Sequence, residues 1–238
     1  MKTLISGQGS RLLATLLSGL LVAMATLFST AAMAQDNFVI TGSPHDFSSA
    51  GWNTTTEICV VCHTPHNTIS PTEGPLWNRV TTGATYTLYN FTPGAVPGSD
   101  IDGTGFGQPT GVSRLCLSCH DGTIAIDSFG RDAAGLPIAL TTTGTYVNDI
   151  NANANIGGGT PQGTTGDLSN DHPVAFTFPA PGADLEIVPA AGGLPLFGVG
   201  FDQLECATCH DVHASGTWGP LLRVDNTGSG LCLTCHSK

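Results

Sequence analysis

The sequence predicts a mostly irregular fold, with short helices at four Cys-x-x-Cys-His motifs and a few short strands, organised around bound groups. Three observations predict it. The chain holds 31 glycines and 15 prolines in 238 residues, above ordinary usage and below the range of low-complexity disorder. Clear amphipathic periodicity is hard to find, so extended helices are not expected. All eight cysteines fall in one repeated motif, whose i, i+3 spacing suits a single helical turn.

The first element is a targeting segment, residues 1–34. Lys2 and Arg11 supply positive charge, Leu12 to Phe28 is an apolar run, and Ala32-Met33-Ala34 is a small-x-small cleavage site. The mature chain is expected to start at Gln35. The alternative is an uncleaved anchor, but the run is slightly short for one, where roughly 18 or more apolar residues are expected. No other stretch has the composition of a membrane span, so none is expected after signal cleavage.

Charge narrows the partners. The formal net charge is −11 for the whole chain, and removal of Lys2 and Arg11 makes it two units more negative. Nucleic acid is therefore excluded as an expected partner, and so is an anionic membrane surface. Gly83, Pro93 to Gly98, Gly103 to Gly111 and Gly157 to Gly166 read as turns and loops. The Asn-rich stretch from Asn148 to Asn155 reads as a surface loop. A chain with this much loop needs something besides side chains to organise it.

The four motifs are Cys59-Val-Val-Cys62-His63, Cys116-Leu-Ser-Cys119-His120, Cys206-Ala-Thr-Cys209-His210 and Cys232-Leu-Thr-Cys235-His236. No cysteine is left over. This is the attachment signature of c-type haem. One helical turn lets both thiols reach the vinyl groups on one porphyrin edge, and the next residue binds iron from one face. Disulfides suit a secreted chain, but they do not explain a histidine after every pair. With histidine at 8 of 238 residues, four such placements by chance have odds on the order of one in a million against the motif. Zinc sites of Cys2His2 type want H-x3–5-H spacing, whereas His63/His66 and His210/His213 are spaced H-x2-H. Four covalently bound haem c groups are the expectation, and they would supply an apolar interior.

Four haems offer eight axial positions, and the chain has eight histidines. His63, His120, His210 and His236 are proximal by motif. His45, His66, His172 and His213 match the four remaining positions. Methionine is the usual rival, but Met1, Met24 and Met33 all lie in the targeting segment. Bis-His ligation is expected, with open or weakly held sixth positions as the alternative.

An internal repeat organises the rest. The first and third motifs both end in H-x2-H, the second and fourth share Leu-Cys-Leu-x-Cys-His, and Gly74-Pro75-Leu76-Trp77-Asn78-Arg79-Val80 matches Gly219-Pro220-Leu221-Leu222-Arg223-Val224. The chain reads as a duplicated dihaem unit, with residues 35–205 carrying haems 1 and 2 plus a long loop-rich insertion, and residues 206–238 carrying haems 3 and 4. His66 cannot reach the far face of its own haem and is expected to serve the second. By symmetry His213 is expected to serve the fourth, and His45 and His172 the first and third. Trp77, Phe91 and Trp218 are expected to pack on porphyrin.

The run of Cys-x-x-Cys-His-Thr-Pro-His-Asn, Pro-Leu-Trp-Asn, Ser-Arg-Leu-Cys-Leu-Ser-Cys-His-Asp-Gly, Asp-His-Pro-Val and a closing Cys-x-x-Cys-His resembles the doubled-CxxCH tetrahaem cytochromes. It is most similar to the extracellular tetrahaem cytochromes that polymerise into conductive filaments. The resemblance covers essentially the whole mature chain. It implies bis-His haems in a continuous chain, and that one histidine is donated by the adjacent subunit. His45, close after the cleavage site, is the candidate for that bridge in a homopolymer.

The expected function is electron transfer, as a filament subunit or an exported carrier, at the cell surface or outside it, with the periplasm as the alternative. The expected partners are redox proteins or extracellular electron acceptors. The rival class is an enzyme, a multihaem reductase with one open haem site; eight histidines for eight positions argue against it. A haem-binding structural or storage protein is the third class, and covalent attachment in close groups suits it less well.

Overall fold

The computed structural model describes residues 40–69, 74–89, 107–131, 135–136, 144–178, 194–213, 218–219 and 221–236. The targeting segment and Phe91 lie outside them, as do most of the Gly/Pro-rich stretches around residues 93–106. The chain divides into two units, Met1–Asn37 and Phe38–Lys238. No helix of the described residues is long and apolar enough to cross a membrane.

The unit Phe38–Lys238 is mostly irregular. Its regular elements are β1 (Thr85–Thr87), α1 (Gly111–His120), α2 (Val147–Ile150), a 3-10 turn (Ala152–Ala154), β2 (Thr165–Asp167), β3 (Phe176–Thr177), β4 (Gln203–Leu204), α3 (Cys206–Cys209) and two further 3-10 turns, Thr227–Ser229 and Cys232–Thr234. β1 pairs with β2 in parallel, Tyr86 opposite Gly166, and β3 pairs with β4 antiparallel.

The four motifs fold as the spacing requires. The second lies on α1, the third is α3, and the fourth is a 3-10 turn. The first closes a single turn through Cys62 N–H and His63 N–H, which both donate to Cys59 O at 3.1 and 2.8 Å. Of these, α1 is the longest because Leu115 and Leu117 have an interior to enter. It stops after His120, where Gly122 adopts φ +73 and donates to Cys119 O. Only glycine takes that conformation freely.

The side-chain core is small. Ala84, Tyr86, Leu117 and Leu168 form its cluster, with Leu88 packed against it. Full burial of one such side chain contributes about 1.5–3 kcal/mol, while ordering each residue's backbone costs about 1–2 kcal/mol. That cluster alone, four of the buried apolar side chains among the described residues, does not outweigh this cost for a chain this long.

Polar ties fill part of the gap. Asp121 accepts from Thr82 Oγ1, Tyr86 OH and Thr123 Oγ1, each at 2.7 Å, and from Thr123 N–H at 2.8 Å. Glu205, 2% exposed, accepts from Ser113 N–H at 3.1 Å and from the Ser113 hydroxyl. Ser113 Oγ in turn accepts from Cys206 N–H at 3.0 Å. These bonds join the start of α1 to the start of α3 across a long stretch of sequence.

The repeat is real at the level of single bonds. Thr64 N–H donates to Leu76 O and Asp211 N–H to Leu221 O, both at 2.8 Å; Asn78 N–H donates to Cys62 O and Arg223 N–H to Cys209 O, both at 2.9 Å. Leu76 and Leu221 share φ +58. This register corrects the sequence match by one residue. Arg223 is the counterpart of Asn78, and Arg79 is the counterpart of Val224. The arginines of the two matched stretches therefore do not occupy equivalent positions.

Candidate haem-binding site

None of the eight motif cysteines is paired in a disulfide, so each is available for attachment to a haem vinyl group. Burial, with the Cys119 thiol beside it, pushes the Cys62 thiol up to about 11, and burial with the Cys235 thiol nearby does the same for Cys209. The second and third motifs meet at their sulfurs. Cys116 donates a hydrogen bond to Cys206, which raises the Cys116 thiol and lowers that of Cys206. The Glu205–Ser113 tie holds the two helix starts in this position.

Two of the motif histidines, His63 and His120, are aimed by backbone carbonyls. Nδ1 of His63 lies 2.7 Å from Pro75 O, and Nδ1 of His120 lies 2.8 Å from Ala154 O. Such a bond orients the ring and leaves Nε2 free for a metal. His172 Nδ1 likewise lies 2.8 Å from Pro173 O. The Asn-rich stretch lies at the surface, as its composition predicts, with Asp149 through Asn153 exposed. It forms α2 and a 3-10 turn, and it supplies the acceptor for His120; Ile156 N–H adds a 2.6 Å bond to His120 O.

Histidine rings meet in pairs. The ring centroids of His45 and His120 are 5.8 Å apart, those of His63 and His213 are 6.1 Å apart, and those of His172 and His236 are 6.3 Å apart. Two imidazoles on opposite sides of one metal ion have centres about 6 Å apart, since each metal–nitrogen bond is about 2 Å and each ring centre lies about 1 Å beyond it. The residues present therefore fit a bis-His haem iron. His45 fits further. Its Nδ1 is buried without a partner, and burial, then the charges of His120, His210 and His213, bring its pKa down to about 4. That favours the neutral imidazole a metal binds. Among the described residues no group of three or more His, Cys, Asp or Glu is placed to hold a bare metal ion, as a zinc site would need.

These pairs differ from the sequence expectation. His45 faces the second motif rather than the first, His213 the first rather than the fourth, and His172 the fourth rather than the third. The reason is the fold of the H-x2-H segments. Proximity along the chain had suggested a donor within each dihaem unit, but the first and third motifs lie against each other.

Trp77 sits edge-on to His63, with centroids 6.0 Å apart and planes at 82°, while Trp218 is 41% exposed. Arg79, Asp121, Glu205 and Ser113 were not singled out from sequence as functional. The only signal for Asp121 was its place directly after a motif histidine.

No curated protein matches the chain. The family model described as "Doubled CXXCH motif" matches residues 200–238, the segment that carries the third and fourth motifs. That match, on a mostly irregular chain whose histidine rings stand a metal's width apart, supports a multihaem c-type cytochrome with covalently bound haem c and a role in electron transfer.

Proposed function

We propose that the chain carries four haems, one on each motif, every iron held between two histidines, and that it moves electrons between partners without a substrate-binding iron. The three histidine pairs at 5.8, 6.1 and 6.3 Å carry this reading. They assign His45 to the second haem, His213 to the first and His172 to the fourth. His66 and His210 remain, and the repeat assigns them to each other. If the third motif lends His213 to the first haem, the first motif lends His66 to the third by the same symmetry.

Bound haem iron would supply reversible one-electron transfer. The protein's residues do the rest. The cysteines fix each porphyrin edge, the carbonyls of Pro75 and Ala154 hold ring orientation, and the Cys116–Cys206 contact brings two attachment edges together. Low-potential behaviour follows from bis-His ligation.

Export to the cell surface or beyond, the filament form and the partners belong to the same proposal. They rest on the targeting segment and the family resemblance. On this reading the chain's own eight histidines would suffice for four haems without one from a neighbour, so end-to-end association would use surface contacts. Negative-stain microscopy of secreted material tests the filament form directly.

Haem load and spin state test the core claim. A pyridine haemochrome assay with mass spectrometry should find four covalent haems, and EPR should find all of the iron low-spin. Two haems or fewer, or a quarter of the iron high-spin and perturbed by nitrite, would favour a smaller cytochrome or a reductase instead.

A further inference from the structure

The two H-x2-H copies share the backbone bonds that close them, yet they differ in enclosed charge. Arg79 is 0% exposed. Its Nη1 and Nη2 donate to Ile126 O and Ala125 O at 2.6 and 2.7 Å. Its Nε is buried without a partner. Both ion pairs of the described residues belong to Asp211, so no carboxylate among them pairs with Arg79. A guanidinium stays charged at any working pH, and burying one unpaired is costly. Its counterpart in the other copy is Val224. The arginine of that copy, Arg223, is partly exposed and paired with Asp211 at 2.9 Å. The position before the first motif cysteine differs with the same sign, Ile58 in one copy and buried Glu205 in the other.

Arg79 also lies where a charge is felt. Asn78 N–H bonds Cys62 O, and the carbonyls that hold Arg79 follow closely after His120. In the protein interior a charge acts several-fold more strongly than through water.

We propose that Arg79 is a fixed cation that makes the haem on Cys59 and Cys62 easier to reduce than its structural twin on Cys206 and Cys209, so that an electron shared between them rests on the first. The proposal rests on the four-haem reading above. One electron enters, ferric iron becomes ferrous, and the centre loses one unit of positive charge; no bond forms or breaks. A fixed cation opposes the more positive ferric state and so raises the potential.

The test is a potentiometric titration of the fully loaded protein with dithionite, each haem followed by paramagnetic NMR. The first haem should be reduced before the third. Arg79→Met should move the first haem's midpoint to lower potential and leave the fourth haem in place, while Arg79→Lys, which keeps the charge, should preserve the wild-type order. Reduction of the third haem first, or of both together, in the wild-type protein would overturn the proposal, as would equal shifts in the Met and Lys variants. If Arg79→Met loads too little haem to titrate, the wild-type order decides alone. Failure to find covalent haem would sink the four-haem reading itself, an outcome distinct from a wrong order of reduction.

Discussion

His63 and His213 face each other with ring centroids 6.1 Å apart and planes only 27° from parallel, although they belong to the first and third motifs. His213 also leans on its own motif. Its N–H donates to Asp211 Oδ1 at 3.0 Å, and Asp211 is the carboxylate that pairs with Arg223. His213 is thus steadied by the acid that follows the motif histidine.

This relationship separates two assignments of His213. In a Cys232→Ser/Cys235→Ser variant the fourth haem is absent. Replacing His213 by alanine in that background should still turn one of the three remaining haems high-spin, because His213 serves the first haem. EPR and carbon monoxide binding to the ferrous protein read the result. Three low-spin haems would return His213 to the fourth.

Tyr86 gives a pH-dependent prediction. Burial first, then the hydrogen bond to Asp121 and its charge, push the Tyr86 phenol above its ordinary value. A raised folded value means the fold holds the proton more tightly than the unfolded chain does. The contribution is complete below about pH 10, the unfolded value, and is lost as pH rises toward the folded one. Tyr86→Phe removes a hydrogen bond to a carboxylate and should cost about 1.5–3 kcal/mol at neutral pH. Denaturation of both proteins across pH 7–11 should show the gap narrowing above pH 10. A constant gap would mean the phenol does not titrate with folding.

The motifs were legible because their information is local. Two thiols three residues apart and a histidine beside them are read directly from the chain, and Cys59–His63 through Cys232–His236 all fold as such turns. The meeting of His63 with His213 was not legible. It depends on the first and third motifs meeting, and nothing in the few residues around His66 or His213 encodes a distant partner. The Asn-rich stretch was legible as surface, but its role was not. Its composition is that of an exposed turn, yet its backbone carbonyl at Ala154 is the functional atom, and a carbonyl has no sequence signature. Arg79 falls in the repeated stretch, but only the hydrogen-bond register matches it to Val224 rather than to Arg223. Glycine content was legible as loop, but not which glycines mark contact.

Gly159 is such a glycine, and it yields the last prediction. A Cβ built there would clash with Asp121 O and stand 3.0 Å from Thr123 Cγ2. The first contact is backbone, so it cannot be relieved by rotating a side chain. The peptide that must move carries the carbonyl of Asp121, next to His120 and beside the carboxylate that binds Thr82, Tyr86 and Thr123. Gly159→Ala should therefore act on the second haem, by spreading the α2-to-β2 segment away from α1 and pulling Ala154 O off His120 Nδ1. Overpacking of this kind costs about 1–3 kcal/mol. Gly51→Ala is the matched control, since nothing lies within 4 Å of its Cβ. Thermal denaturation should show a lowered midpoint for Gly159→Ala alone, and resonance Raman should show a shifted iron–histidine environment at one haem. Equal stability of the two variants would mean that the close approach of Gly159 to Asp121 is not what seats the second motif.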